Sequence, residues 1–425
     1  MQNRNSEELF ALIKSMSRCE KKSFHLFAKR NGKAGNLKVL KIYSVINAME
    51  QYNEKELVRK AKGIQVKQLP GMKVFLYNLL LDSMRISRKE ESIDLQLHQL
   101  MEHAKILYDK GFPVPALKTL KKIKTMSLHY HQVSFAFQAV VMEKKIELVH
   151  GSCDAERINS LNDEMNEYSQ QLLLIGNISN ISMFLYGWHK RHGHLTGKND
   201  EQKIDGIYQP CSSVNENVLS FYPKLYWLQA TTYCYIIKRE NQLFYEAALK
   251  WRELFHLHPQ MKQVEALQYQ RAIASLSEAA LLLNDKTTVR QCANELKIAN
   301  DEFYLLLAEL NLSLAIKEYD EKVLAQALHT ITGSKNEERI LVLSYKAALI
   351  CSQHNLFERA TDFTHTAINL KMVSRADIQY CLRLLHQKAH DQIGNTDIVE
   401  YLQASAERFA KINNLPLSLP EKIMV

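Results

Sequence analysis

The stretch Glu338–Lys371 carries two helical patterns separated by a break at His354-Asn355, and each pattern has one apolar stripe. In the first, Ile340, Leu343, Ala347, Ile350 and Cys351 recur at the offsets of a single helical face. In the second, Ala360, Phe363, Ala367 and Leu370 do the same. A helix with one stripe cannot bury itself. Two such helices close on each other as an antiparallel hairpin, and the edge left over must be covered by another hairpin. This constraint predicts an all-α chain built as an α-solenoid of stacked helical hairpins.

Composition agrees with long helices and brief loops. A chain of 425 residues is long for a single globular core and tends to split or to grow by repetition. Its 13 glycines and 8 prolines are too few for a sheet with many turns. The opening MQNRNSEELF shows no apolar run after a basic start, so no secretory signal is read there. The richest apolar run, Val74–Leu81, is cut off by Asp82 and Arg85, well short of the roughly 18 apolar residues a membrane span needs. Seven cysteines, none in a C-x-x-C pair, fit a reducing compartment better than a disulfide framework. A cytoplasmic protein without a membrane partner is expected.

Charge divides the chain. Met1–Lys124 carries 25 Lys and Arg against 12 Asp and Glu, whereas the remainder carries 30 against 34. Residues 1–92 read as a basic helical cap domain and residues 93–425 as the solenoid. In the cap, Ser17 and Glu20 have capping-box spacing, Asn53 offers an N-cap, and Pro70 suits the first turn of a long apolar helix over Met72–Arg88. Hairpins are expected at His98–Lys124, Leu225–His258, Val264–Ala299, Asp301–Ile331, Glu338–Lys371 and Arg375–Ile412. The stretch 194–223, with Gly197, Gly206 and Pro210, reads as an irregular connection with one short helix around Ile204. The tail Asn414–Val425, with Pro416 and Pro420, reads as extended.

Small residues then add a finer signal. Ala104 and Ala116 are 12 apart, with Tyr108 and Gly111 between them, and Ala348, Ala360 and Ala367 give spacings of 12 and then 7. An alanine at a close helix crossing lets two backbones approach. This pattern resembles the tetratricopeptide repeat, although residues 1–92 match no family. The resemblance implies a right-handed solenoid of about seven hairpins, elongated, whose first helices line a concave peptide-binding face. It assigns that face to His98, Met101, Lys105 and Tyr108 in one hairpin and to Val342, Tyr345, Leu349 and Ser352 in the other. Tyr108 and Tyr345 stand out as anchors, since a ring with a polar tip stays soluble when unbound. Core packing is the competing reading for Val342 and Leu349.

Catalytic signatures are missing from the sequence. Neither G-x-x-x-x-G-K-[ST] nor G-x-G-x-x-G occurs, nor H-E-x-x-H, G-x-S-x-G or zinc-type cysteine spacing. The densest histidine cluster is His189, His192 and His194. Three imidazoles could hold zinc or nickel, but no carboxylate or thiol is adjacent, and a basic helix end capped by Gly193 explains the same residues. His129/His131 and His256/His258 read as polar tips of helix ends. No metal and no cofactor is expected.

Two functions remain open at this level. The leading one is a non-enzymatic scaffold that binds a protein or peptide on the solenoid. The alternative is a regulator whose basic head binds nucleic acid through Lys21, Lys22, Lys29 and Arg30, with Lys33, Arg59, Lys60, Lys62 and Lys67 nearby in sequence. The segment Glu56–Gly63 faintly resembles a helix-turn-helix, but Pro70 interrupts its recognition helix. A solvated basic face accounts for these charges equally well.

Overall fold

The computed structural model describes residues 2–30, 34–61, 64–87, 92–151, 154–195, 197–299, 321–333, 337–370, 375–413 and 415. Among them all regular structure is helical, in 20 α-helices and two single 3₁₀ turns, with no strand. Compactness divides the chain into one unit of residues 1–129 and 138–161 and another of residues 130–137 and 162–425. Lys33, Lys62, Cys153, most of the Asp301–Ile331 hairpin and all of the tail but 415 lie outside the described residues.

The first unit opens with α1 (Gln2–Ser15), α2 (Arg18–Arg30), α3 (Ala34–Ala48), α4 (Glu54–Lys60) and α5 (Leu69–Ser87). Local signals set their ends. The Ser17 N–H donates to Glu20 Oε2 at 2.8 Å and the Glu20 N–H to Ser17 Oγ at 3.2 Å, the reciprocal capping box. The Asn53 side chain accepts from the N–H groups of Lys55 and Glu56 and starts α4. Pro70 lies in the first turn of α5, where its missing N–H leaves no helical bond unmade. Phe24, Ile42, Tyr43, Ile46, Leu57, Leu76 and Leu80 pack these helices into one core. At its edge the buried Lys73 ammonium donates to Ser6 Oγ at 3.0 Å and Glu54 Oε1 at 2.8 Å, tying α1, α4 and α5 together.

The same unit holds α6 (Ile93–Asp109) and α7 (Pro113–His129), an antiparallel hairpin. Gly111 turns the chain at φ +80°, a region that an L side chain enters only with strain. Ala104 and Ala116, the 12-spaced pair, are both fully buried. The long helices α8 (Val133–His150) and α9 (Ala155–His192) pass from one unit into the other.

In the second unit, consecutive helices pack on one another through α11 (Phe221–Lys238), α12 (Asn241–Leu257), the short α13 (Met261–Val264), α14 (Ala266–Leu282) and α15 (Lys286–Ala299). After α16 (Glu321–Gly333) the succession continues through α17 (Glu337–Gln353), α18 (Phe357–Ile368), α19 (Ala376–Ile393) and α20 (Thr396–Ile412). The break between α17 and α18 falls at His354-Asn355, with Asn355 at φ +58°. Trp251, Phe221, Phe244 and Phe255 centre one core, and Leu343, Ala348, Cys351, Leu382 and Leu385 another. Ala348, Ala360 and Ala367 are buried at the α17–α18 crossing.

The stretch 194–223 is more regular than its glycines suggest. It contains α10 (Lys198–Ser212), 15 residues long with Pro210 in its last turn. There the proline ring has cost the helix little, because only the final residues follow it. Ile204 and Cys211 bury one face of α10, and Trp227 donates its indole N–H to the Cys211 carbonyl at 2.9 Å. The described cysteines are free thiols, with Cys19 exposed and Cys211, Cys234, Cys292, Cys351 and Cys381 buried. No helix among the described residues is long and apolar enough to cross a membrane.

Candidate partner-binding face

Four residues on successive turns of α11, Tyr222, Tyr226, Gln229 and Tyr233, fall on one side of that helix. Helices α9 and α14, with Glu265 just before α14 and Gln132 just before α8, bring complementary groups to the same side. At the first rung, Gln132 Nε2 donates to the Tyr222 hydroxyl at 2.9 Å, and that hydroxyl donates to Glu265 Oε1 at 2.8 Å. The Tyr222 and Tyr226 rings lie nearly parallel, 6.4 Å apart. One turn further, Ser182 Oγ donates to Gln229 Oε1 at 3.1 Å, and Gln229 Nε2 donates to Gln268 Oε1 at 2.8 Å. At the last rung Tyr233 meets Tyr186 with centroids 5.3 Å apart, and the Arg271 guanidinium sits 4.3 Å from the Tyr186 centroid.

The ladder grades from open to closed. Tyr222, Tyr226, Tyr186, Glu265, Gln268 and Arg271 are half-buried, whereas Ser182, Gln229 and Tyr233 are buried. The hydrogen bonds and ring contacts among them hold the rings and amides in fixed orientations. Burial raises the Tyr226 phenol, with Glu265 adding to it, and pushes Tyr233 up to about 12. Neutral phenols donate and accept hydrogen bonds. They carry no charge to steer chemistry near neutral pH.

The residues assigned from the repeat resemblance fare differently in the two hairpins. On α6, His98 and Lys105 are exposed, while Met101 and Tyr108 are half-buried. Lys105 pairs with Asp109 at 2.5 Å and stands 5.7 Å from the Tyr108 ring centroid. On α17, Val342 and Leu349 are half-buried against the core, and Tyr345 and Ser352 are each only 7% exposed. Tyr345 is thus not an exposed anchor. Its ring is part of the packing that also holds Ile378 and Cys381 of α19, and burial raises its phenol. The face expected to be open on α17 is covered because α19 packs on α17 as well as on α18.

Of the basic residues, Lys22, Lys29 and Arg30 are exposed along α2 and its last turn, and Lys21 is half-buried. Arg59 is exposed, and Lys60 pairs with Glu56 at 2.6 Å.

The histidines are drawn into structure. Gly193 ends α9 at φ +77°, and a Cβ there would lie 2.6 Å from Asp377 Oδ2. His189 Nδ1 lies 3.0 Å from the Gly193 carbonyl, and His194 Nδ1–H donates to the Ile236 carbonyl at 2.8 Å. Arg375 meets both carboxylate oxygens of Asp377 at 2.9 Å. Burial, with Arg239, His189 and Arg375 adding positive charge, pushes His194 down to about 4. Burial alone would raise Asp377, but Arg375 and two hydrogen bonds hold it below the usual carboxylate range. His131 and His258, read as helix tips, meet at 3.2 Å between ring nitrogens, and His131 stacks on Phe221. Among the described residues no group of three or more His, Cys, Asp or Glu is placed to hold a metal ion.

The α11 ladder escapes the small-residue signal, because Tyr235 or Ile236 stands where that spacing would place a small residue. The recurrence of 222, 226, 229 and 233, each able to hydrogen-bond or stack, is present in the sequence. What those residues meet on α9 and α14 is not. No family model, curated protein or solved structure matches this chain.

Proposed function

We propose that this protein is a non-enzymatic scaffold that binds a protein or peptide segment. We also propose that its hairpins are arranged like tetratricopeptide repeats. The observation that carries the functional reading is the α11 ladder. Three helices hold half-buried tyrosines, amides and an arginine in fixed orientations on one face. Preorganised rings and amides favour recognition, because little side-chain freedom remains to be lost on binding. Catalysis would need a group that titrates near neutral pH. The ladder's perturbed phenols are all shifted upward, away from that range.

The test is affinity capture from native lysate with the full chain and with Tyr226→Ala. Tyr226 is half-buried, and its ring stacks on Tyr222 at the margin of the core that both rings pack against. Proteins retained by the parent chain, lost with Tyr226→Ala and indifferent to nuclease are the expected result. Identical capture by both chains would remove the ladder from the function. Capture that disappears with nuclease would favour the nucleic-acid reading.

A further inference from the structure

The hairpin α6–α7 carries a groove of about 520 Å³ on a different side from His98, Met101, Lys105 and Tyr108. Leu100, Ile106 and Leu107 of α6 give it an apolar lining, to which α6 adds His103 and α7 adds Lys118, Thr119 and Lys122. Ile106 is 57% exposed. The α7 sequence PVPALKTLKKIKTMSLH has four lysines and no acidic residue. Only Lys124 among them is neutralised, by Glu143 at 2.9 Å, and no ion pair among the described residues engages Lys118, Lys121 or Lys122.

We infer that this groove docks an acidic amphipathic helix of a partner protein. Its apolar anchors would meet the apolar lining between α6 and α7, and its flanking carboxylates would meet Lys118 and Lys122. Helix-in-groove recognition uses anchors at i, i+3 or i+4 and i+7, which suits a recessed strip running along two helices. Charge complementarity selects the acidic partner: opposite charges at the rim steer encounter, and a basic helix is repelled. A nucleic acid would use the lysines and leave the apolar lining uncovered. A bilayer surface is too broad to enter a recess between two helices. This inference rests on the first unit alone and is independent of the α11 ladder.

The experiment uses the full chain and a fluorescein-labelled helical peptide of about 18 residues, five turns long. The peptide carries leucines at i, i+3 and i+7 with glutamates beside them, and anisotropy reports binding. Saturable binding that weakens with salt is expected. Lys118→Glu with Lys122→Glu, and separately Ile106→Ser, should each weaken it by about tenfold. These sites are exposed, so circular dichroism should be unchanged in both. Lys21→Glu with Lys22→Glu on α2 should leave affinity as it was. The inference is overturned if a scrambled peptide of the same composition binds equally, or if the groove variants bind like the parent. It also fails if the peptide does not saturate by about 1 mM. Groove charge reversal that abolishes binding to phosphatidylglycerol vesicles or a single-stranded oligonucleotide, while leaving peptide binding intact, would overturn it too.

Discussion

The hairpins α6–α7 and α17–α18 share the same small-residue spacing and differ in what surrounds them. Ala104/Ala116 and Ala348/Ala360 are all buried at helix crossings. Yet α6 buries only Leu97 and Ala104, whereas the buried residues of α17 include Leu341, Leu343, Ser344, Tyr345, Ala347, Ala348, Ile350 and Cys351, spread around its circumference. The tyrosine of each first helix, four residues after Ala104 in one and three before Ala348 in the other, follows suit. Tyr108 is half-buried with its ring nearly perpendicular to that of His150, and Tyr345 lies in the core. Small residues at this spacing are buried in both hairpins. They do not fix how many further helices lie against them.

Truncating both tyrosines puts the difference between the hairpins to its most direct trial. Tyr345→Ala should cost about 3–5 kcal/mol, the scale of losing a buried aromatic ring, read as a fall in urea midpoint. Tyr108→Ala should cost under about 1 kcal/mol. Equal losses would mean that the two hairpins are packed to the same depth after all.

A second pair of substitutions tests the polar joint of the second unit. Arg375→Ala leaves the Asp377 carboxylate, 3% exposed, without its bidentate partner and should cost about 3 kcal/mol. Asp377→Ala with Arg375→Ala should recover part of that loss. If the double variant is no more stable than the single, the pair is not coupled.

Acid should loosen the second unit through His194. Its folded pKa, about 4, lies below the unfolded value near 6.5, so between these values the unfolded chain binds the extra proton. The stability is fully present above pH 6.5 and is lost as pH falls toward 4. Over that window the loss is on the order of 3 kcal/mol. Asp377, lowered as well, acts in the same direction further down: its contribution is present above the unfolded carboxylate value and is lost as pH falls through its folded one. Hydrogen exchange at pH 5 and pH 7 should show faster opening of α9, α11 and α19 at the lower pH. With His194→Asn the window between 4 and 6.5 should flatten. An unchanged slope in that variant would assign the acid sensitivity to another group, His386 being the first to examine.

Gly193→Ala should cost about 1–2 kcal/mol, the strain of a left-handed residue with a side chain. Its added Cβ also presses on the Asp377 carboxylate. Combining it with Asp377→Ala should remove the second part and leave the first. Gly111→Ala, also at positive φ but facing open space, gives the comparison value for strain alone.

Legible in the order of the residues were the parts of this protein that depend on neighbours within about one helical turn. Helicity, the Ser17 and Asn53 caps, the glycine ends at Gly111 and Gly193 and the break at His354-Asn355 all belong to that class. Each rests on backbone hydrogen bonds or on the 3.6-residue period, both of which are local. Which faces stay open was settled by long-range packing. It placed α19 over Tyr345, brought Asp377 beside Gly193, and set Ser182 and Tyr186 of α9 and Gln268 and Arg271 of α14 against α11. A period shows that residues share a face of one helix, but burial of that face depends on which distant helix packs against it. That choice is made by the summed packing of many side chains, and no local pattern records it.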